Sequence, residues 1–453
     1  MTGVFGDMAG QLAGLQSASI LGRVVGISGL GVQLSGLDRH AAVGDRVSLQ
    51  PRGGQPVQAE IVGFRDRHAQ AMAYGSLDGL GPGSIASIGF GRTGGVHGGA
   101  LAINDRWLGR VIDPLGRPMD NKGPMPHGGS PRPVRAAPPD ATRRARLGPR
   151  LNLGIRVLNS FTTCRTGQRL GLFAGSGVGK STLLSMLARH TECDVAVISL
   201  VGERGREVRE FIEDDLGEAG LARSVVVIAT SDTPPLMRRE AAYSAMAIAE
   251  HFRDQGKSVL LMMDSVTRFC LALREIGLST GEPPATRGYP PSVFAELPRL
   301  LERAGPGPIL PDGSAGSITA LFTVLVEGDD HNEPVADAVR GILDGHVVMD
   351  RRIGEQGRYP AVDILRSLSR AVPGCNSPEE NALMRRARSI LAIHADMADM
   401  VRLGAYKAGT DPVVDEAVSL APRIEAWLNQ DRNEATGIAD SFAALREIMG
   451  AAV

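Results

Sequence analysis

The sequence predicts a multidomain α/β chain. A small N-terminal β-barrel spans residues 20–95, a central domain with a mostly parallel sheet spans 96–375, and a helical domain spans 376–453. A short segment, 1–19, precedes the barrel. Three observations lead there. Glycine crowds the front of the chain, with 35 of the 57 glycines in residues 1–180, so that part is rich in turns and close backbone approaches. Between about 150 and 372, apolar strand-like runs alternate with helix-like segments, the pattern of a buried sheet with crossover helices. From 377 onward the apolar spacing is helical.

In the first segment Val4, Phe5, Met8, Leu12 and Leu15 recur at helical spacing, while Gly3, Gly6, Gly10 and Gly14 weaken a helix. It is either a short amphipathic helix or a frayed terminus. GRVVGIS (22–28), GDRVSLQ (44–50), VQAEIVGF (57–64) and AQAMAY (69–74) are short strands cut by turns, which predicts the barrel. Residues 124–149, rich in Pro and Arg, read as an extended connection or as a basic arm without an aromatic for base stacking. The sheet is predicted from LGLFA (170–174), VAVISL (195–200), SVVVIAT (224–230), SVLLMMD (258–264) and ITALFTVLV (318–326). Ser377-Pro378-Glu379-Glu380 predicts a capped helix start, with Leu383, Ala387, Ile390, Leu391, His394 and Met397 on one face. Asp411-Pro412 and Ala421-Pro422 are read as the punctuation of two further helices.

Composition narrows the function. Lys+Arg 49 against Asp+Glu 50 gives a formal charge of −1, so no global basic excess exists to hold a nucleic-acid backbone. Cys164, Cys193, Cys270 and Cys375 form no CxxC, which predicts neither a metal site nor a disulfide framework and suits a reducing cytoplasm. No apolar run approaches the ~18 residues of a membrane span. The N-terminal residues lack the basic start of a secretory signal.

The strongest motif is Ala174-Gly175-Ser176-Gly177-Val178-Gly179-Lys180-Ser181-Thr182, between a strand and a helix. It meets GxxxxGK[ST] except at its first position, where Ala is the smallest alternative to Gly. Bare backbone there lets N–H groups wrap a phosphate, with the helix N-terminus adding partial positive charge. Lys180 would neutralise β- and γ-phosphate oxygens, and Ser181 would hold Mg²⁺. Asp264, ending a buried strand pattern, is either the second magnesium-ordering acid or a strand-end cap. Glu203, in VGERGRE after the strand 195–200, is either a carboxylate that orients water or a salt-bridged surface group.

The chain resembles the flagellum-specific type III export ATPases in LFAGSGVGKSTLL, VGERGREVREF, ATSDTPPLMR, LLMMDSVTRF, GYPPSVFAELPRLLERAG, GSITALFTVLVEGDDHNEPVADAVRGILDGHVVMDR and YPAVDILRSLSR. That family is similar to the alpha and beta subunits of rotary ATP synthases and to the ATPases of virulence-type secretion. The resemblance covers roughly residues 20–450, and the loop 174–179 is more like the flagellar branch. It implies a P-loop (RecA-like) ATPase domain. It further implies Glu203 as the group that activates water, Arg204 and Arg268 as arginines lining the site, and Asp264 as the Walker B acid, holding Mg²⁺ through water. Tyr359 would stack on adenine, and Arg370 would be an arginine finger given to a neighbouring subunit. From the residues alone, these last two are equally a packed Tyr and a surface Arg. Tyr406 is the candidate for a second adenine-pocket aromatic.

The resemblance also implies a cytoplasmic homohexamer, peripherally associated with the inner membrane at the flagellar base. Its partners would be a regulator on residues 1–19, a stalk-like coiled-coil protein, the export gate, and export chaperones with their cargo. A virulence-type secretion ATPase is the alternative. A rotary synthase subunit fits the segments GYPPSVFAELPRLLERAG and VEGDDHNEPVADAVRGILDGH less well. An RNA-translocating hexamer would want a basic, aromatic N-terminal face, whereas residues 20–95 carry Asp38, Asp45, Glu60, Asp66 and Asp78.

Overall fold

Six antiparallel strands, Gln16–Ser28, Gly31–Ser35, Arg46–Leu49, Val57–Arg65, His68–Ala73 and Ile85–Gly91, close a barrel in which the first pairs with the second and the sixth. The computed structural model describes residues 16–91, 99–326 and 333–450. The helix expected around Val4–Leu15, the boundary at 95/96 and residues 327–332 of the quoted motif lie outside them. Alternation fills the barrel with small apolar groups: Val32, Leu34, Val47, Leu49, Ala59, Ile61, Ala69 and Ala71 are fully buried. One early glycine has a specific reason. A Cβ on Gly22 would lie 2.5 Å from the Ser35 carbonyl oxygen, so the first strand can cross the second only with bare backbone there.

The central sheet runs, edge to edge, Val362–Ser369, Gly345–Met349, Arg169–Ala174, Ser317–Leu325, Ser258–Asp264, Val195–Glu203, Ser224–Thr230 and Arg110–Ile112. Every pairing along this path is parallel except that of Val362–Ser369 with its neighbour. Both faces are covered. Val195, Val197 and Val201 belong to the core with helix Pro235–Arg253, and Ile198 and Leu200 to the core with helix Lys180–His190 and the C-terminal helices. The parallel strands therefore end together, and the loops at their C-terminal ends form one rim where a site is built.

The helical domain comprises Pro378–Arg402, Pro412–Leu428 and Ile438–Ile448. The capping box forms as read, with the Ser377 hydroxyl accepting from the Glu380 N–H and the Glu380 side chain accepting from the Ser377 N–H. Leu383, Ala387, Ile390 and Leu391 are buried, while His394 and Met397 are only half-buried. One expectation is corrected. Pro422 does not end a helix but lies inside Pro412–Leu428. Its missing N–H costs a helical bond, yet Ala417, Ala421, Ile424 and Leu428, all fully buried, hold that face to the core.

The Pro/Arg-rich stretch is mostly connection, with a short strand Ser130–Pro133 paired to Ala100–Ile103. Three of its five arginines serve the fold: Arg132 bonds Asp254 at 2.7 Å, Arg135 bonds Glu60 at 2.8 Å, and Arg144 donates to the Ala304 carbonyl at 3.1 Å.

Candidate active site

Strand Arg169–Ala174 delivers the chain to the rim, and residues 175–179 turn it into helix Lys180–His190. Gly177 and Gly179 sit at φ of +77° and +88°, a region that L side chains avoid. Ala174 is different. It is a buried strand residue paired with Leu325 and Met349, outside the positive-φ positions of the turn, so its backbone does not demand a glycine.

Three predicted residues converge here. Lys180 Nζ lies 2.5 Å from Asp264 Oδ1 and 3.4 Å from Glu203 Oε1. Asp264 ends its strand beside the loop, and Glu203 ends the next. All three side chains are at most 15% exposed. Burial alone would discharge Lys180, but Asp264 and Glu203 outweigh it and raise its pKa. Burial raises the Glu203 carboxyl above its ordinary value, with Lys180 pulling the other way. Ser181, Glu203, Glu207 and Asp264 line one small cleft.

Arg268 stands close by, its stem against Gly202, where an added Cβ would lie 3.1–3.2 Å from it, and its charge lowers the Glu203 pKa. Arg204 instead turns outward, 76% exposed and paired with Glu207 at 3.2 Å.

On the other side of the loop a cavity of about 430 Å³ is lined by Gly179, Thr182, Leu183, Met186, Tyr359 and the segment 429–432. The Tyr359 ring would stand 3.4 Å from a Cβ on Gly179, so the tyrosine borders the loop directly. Its backbone is held by Asn429, which accepts from the Tyr359 N–H at 3.0 Å, and by the Gln430 N–H, which donates to the Tyr359 carbonyl at 2.8 Å. Tyr406 is not in this pocket. Its hydroxyl bonds Asp415 at 2.9 Å, within the turn that leads into Pro412–Leu428. The wall facing Tyr359 is polar chain, 429–432, rather than a second aromatic.

Arg370 is brought elsewhere. Its strand runs antiparallel, so Val362 pairs with Met349 at the loop end while Ser369 pairs with Gly345 at the opposite end. The Arg370 N–H bonds the Asp344 carbonyl, beside Arg169 at the start of the loop strand. About five strand residues, roughly 16 Å, separate that level from the phosphate loop.

Two residues at the site escaped the sequence reading. Thr323 donates to Asp264 Oδ1 at 2.6 Å; it is one of two threonines in the apolar run ITALFTVLV, and the run does not distinguish it from Thr319. Arg351 donates to the Ser176 carbonyl at 2.9 Å, and nothing local in the sequence marks it. A roomier cavity of about 550 Å³ lies at the barrel junction, where its carboxylates Glu282 and Glu296 are already bonded to Ser292 and Tyr243.

Comparison with known proteins agrees with this geometry. The model of the ATP synthase alpha/beta family, nucleotide-binding domain, matches residues 154–369, and that of the T3SS EscN ATPase C-terminal domain matches residues 376–447. The flagellum-specific ATP synthase of Caulobacter vibrioides is 55% identical over 95% of this chain and 96% of its own. That of Bacillus subtilis is 45% identical over 95% of each. The assembled ATPase EscN of the enteropathogenic E. coli type III secretion system matches 94% of this chain and 100% of its own at TM-score 0.86 and 37% identity. EscN in complex with its central stalk EscO matches 94% of this chain and 100% of its own at 0.83 and 37%. The chain belongs to the flagellum-specific ATP synthase family.

Proposed function

We propose that this chain hydrolyses ATP as a homohexameric ring, and that hydrolysis drives or assists export of flagellar proteins through a type III secretion gate. The observation that carries the chemistry is the convergence of Lys180, Glu203 and Asp264 at the mouth of the phosphate loop. The identity of 55% to a flagellar relative, against 44% to the type 3 secretion system ATPase of Xanthomonas euvesicatoria and 37% to EscN, favours flagellar over virulence-type export.

In this reading adenine lies against Tyr359, and the N–H groups of residues 175–181 take the phosphates. Lys180 exchanges Asp264 for phosphate oxygens. Ser181 and Asp264 fit a magnesium ion. They face one cleft beside the loop, and Mg²⁺ is commonly held by one or two protein groups, substrate phosphates and water. Ser181 would bind it directly and Asp264 through water. When bound, Mg²⁺ neutralises charge on the β- and γ-phosphates. Glu203 orients the attacking water for in-line displacement, and its raised pKa suits it to take a proton. Arg268 steadies Glu203 within the same copy. Arg370 completes the site of the next copy, because it stands at the wrong end of its own sheet. Arg204, exposed beside Glu203, would join the site from the rim on assembly.

No helix among the described residues is long and apolar enough to cross a membrane, which suits a cytoplasmic protein in peripheral contact with the inner membrane at the flagellar base. The EscN–EscO complex supports a stalk-like partner. A regulator on residues 1–19, the export gate, and chaperones with cargo at the C-terminal face complete the reading, with no nucleic acid. The test is ATPase activity against protein concentration. Sites completed in trans predict a specific activity that climbs steeply on assembly. A specific activity that stays flat from dilute subunit to assembled ring overturns the shared-site reading, and no hydrolysis at any concentration overturns the enzyme.

A further inference from the structure

Edge strand Val362–Ser369 carries Leu365 and Leu368, 44% and 49% exposed, immediately before Arg370. Beside Leu368 a groove opens between this strand and helix Pro378–Arg402, lined by Phe161, Val372, Pro373, Met384 and Arg385. Exposed leucines are ordinary when scattered. Leu368, which itself lines this apolar groove, forms with it a patch of the kind that marks an interaction surface.

Charge suggests what covers it. Arg370 and Arg385 are both exposed, and neither has a carboxylate partner among the described residues. The segment 203–218, which leaves the site from Glu203, has the opposite character. Its three arginines, Arg204, Arg206 and Arg209, are each paired within the segment, to Glu207, Glu210 and Glu213. Asp214 and Glu218 remain exposed and in excess. Glu207, Val208 and Phe211 of this segment line the same cleft as Glu203 and Asp264, so any arginine entering that cleft from outside passes over it.

We propose that Leu368 and its groove are the docking surface for a second copy of this chain, with Arg385 set against that copy's acidic 207–218 segment and Leu368 seating the contact that carries Arg370 into its nucleotide site. This rests on the reading of Arg370 as a residue acting in trans. Leu368 is then a positioning residue, buried by assembly, and Arg385 supplies attraction that weakens with salt.

The test uses the full chain with Mg²⁺ and a non-hydrolysable ATP analogue, followed by sedimentation velocity over a concentration series. Leu368→Asp and Arg385→Glu should each bind the analogue with wild-type affinity. Each should raise the concentration for half-assembly by about tenfold or more, the scale expected when one large apolar contact or one opposed charge is lost. Arg370→Ala should assemble like wild type and lose activity. Assembly of both Leu368→Asp and Arg385→Glu at the wild-type concentration overturns the docking surface and assigns the patch to another partner. An assembled, fully active Arg370→Ala instead overturns the trans arginine, while the other two variants still decide the surface. If Leu368→Asp loses the analogue, Arg385→Glu, a change on an exposed helix position, decides alone.

Discussion

Arg351 donates a 2.9 Å hydrogen bond to the carbonyl of Ser176, at the tip of the phosphate loop. The donor comes from the short helix Arg351–Glu355, whose Gly354 also abuts the Tyr359 hydroxyl. One side chain thus ties the loop to the segment carrying the pocket's aromatic. Arg351→Ala should weaken binding of ADP and ATP by about fivefold, the equivalent of ~1 kcal/mol for one charged donor at an exposed carbonyl. Turnover at saturating ATP should change little. Titration calorimetry with ADP checks this, and an unchanged affinity would remove the tie from the binding machinery.

Glu203→Gln should bind ATP and hardly hydrolyse it. The amide keeps the shape but cannot accept the water's proton, a loss of about 10²–10⁴ in turnover. The wild-type pH profile carries a second check. Burial raises the Glu203 pKa, so the reactive carboxylate is lost, as pH falls, at a higher pH than for an ordinary glutamate near ~4.3. That acid limb should be absent from the residual activity of Glu203→Gln. Near-normal turnover in the variant would take the water-activating role away from Glu203.

Arg370→Ala and Lys180→Ala proteins should each be nearly inactive alone and recover activity when mixed. In a randomly mixed ring, about a quarter of interfaces pair an intact loop with an intact arginine, because head-to-tail contacts join different faces of neighbouring copies. Activity should therefore reappear as a fraction of wild type, scaling with mixing ratio. Mixtures that co-assemble, shown by light scattering, and stay inactive would place Arg370 outside the neighbour's site.

The sequence made local features legible and distant ones not. The phosphate loop is readable because strand, glycines, Lys180 and helix are contiguous, and Asp264 because it ends an apolar strand. Tyr359 and Arg370 show the limit. Eleven positions apart, they are read only by resemblance, and nothing in their spacing reveals that an antiparallel strand carries them to opposite ends of the sheet. Arg351 and the 429–432 wall reach the pocket through tertiary packing alone. Gly345–Met349 and Arg110–Ile112 are too short to stand out as strands, and their pairing partners hold them in the sheet. Pro422 misled because local propensity was overridden by the buried face of its helix.

The barrel is joined to the ATPase domain by an ion pair nearly removed from water: Glu60 and Arg239, 2.5 Å apart, with side chains 3% and 6% exposed. Arg135 and the Tyr74 hydroxyl also donate to Glu60. Burial alone would raise the Glu60 pKa, but Arg239 and Arg135 outweigh it and hold the carboxyl below its ordinary value. A buried pair adds little over apolar packing, yet breaking one is expensive because it strands the remaining charge. Glu60→Ala should therefore cost about 3–5 kcal/mol in unfolding free energy. The double variant Glu60→Met with Arg239→Met should recover part of that loss: no guanidinium remains at position 239, and buried Glu240, which also loses Arg239 at 3.6 Å, keeps Arg46 at 2.9 Å. The sign with pH follows. The folded carboxyl titrates below its unfolded value near ~4.3, so the contribution is full above that pH and is lost as pH falls through the folded value. Urea unfolding of wild type, Glu60→Ala and the double variant at pH 7, repeated at pH 4, reads both effects. Equal unfolding midpoints for wild type and Glu60→Ala at pH 7 would show that the pair does not hold the barrel in place.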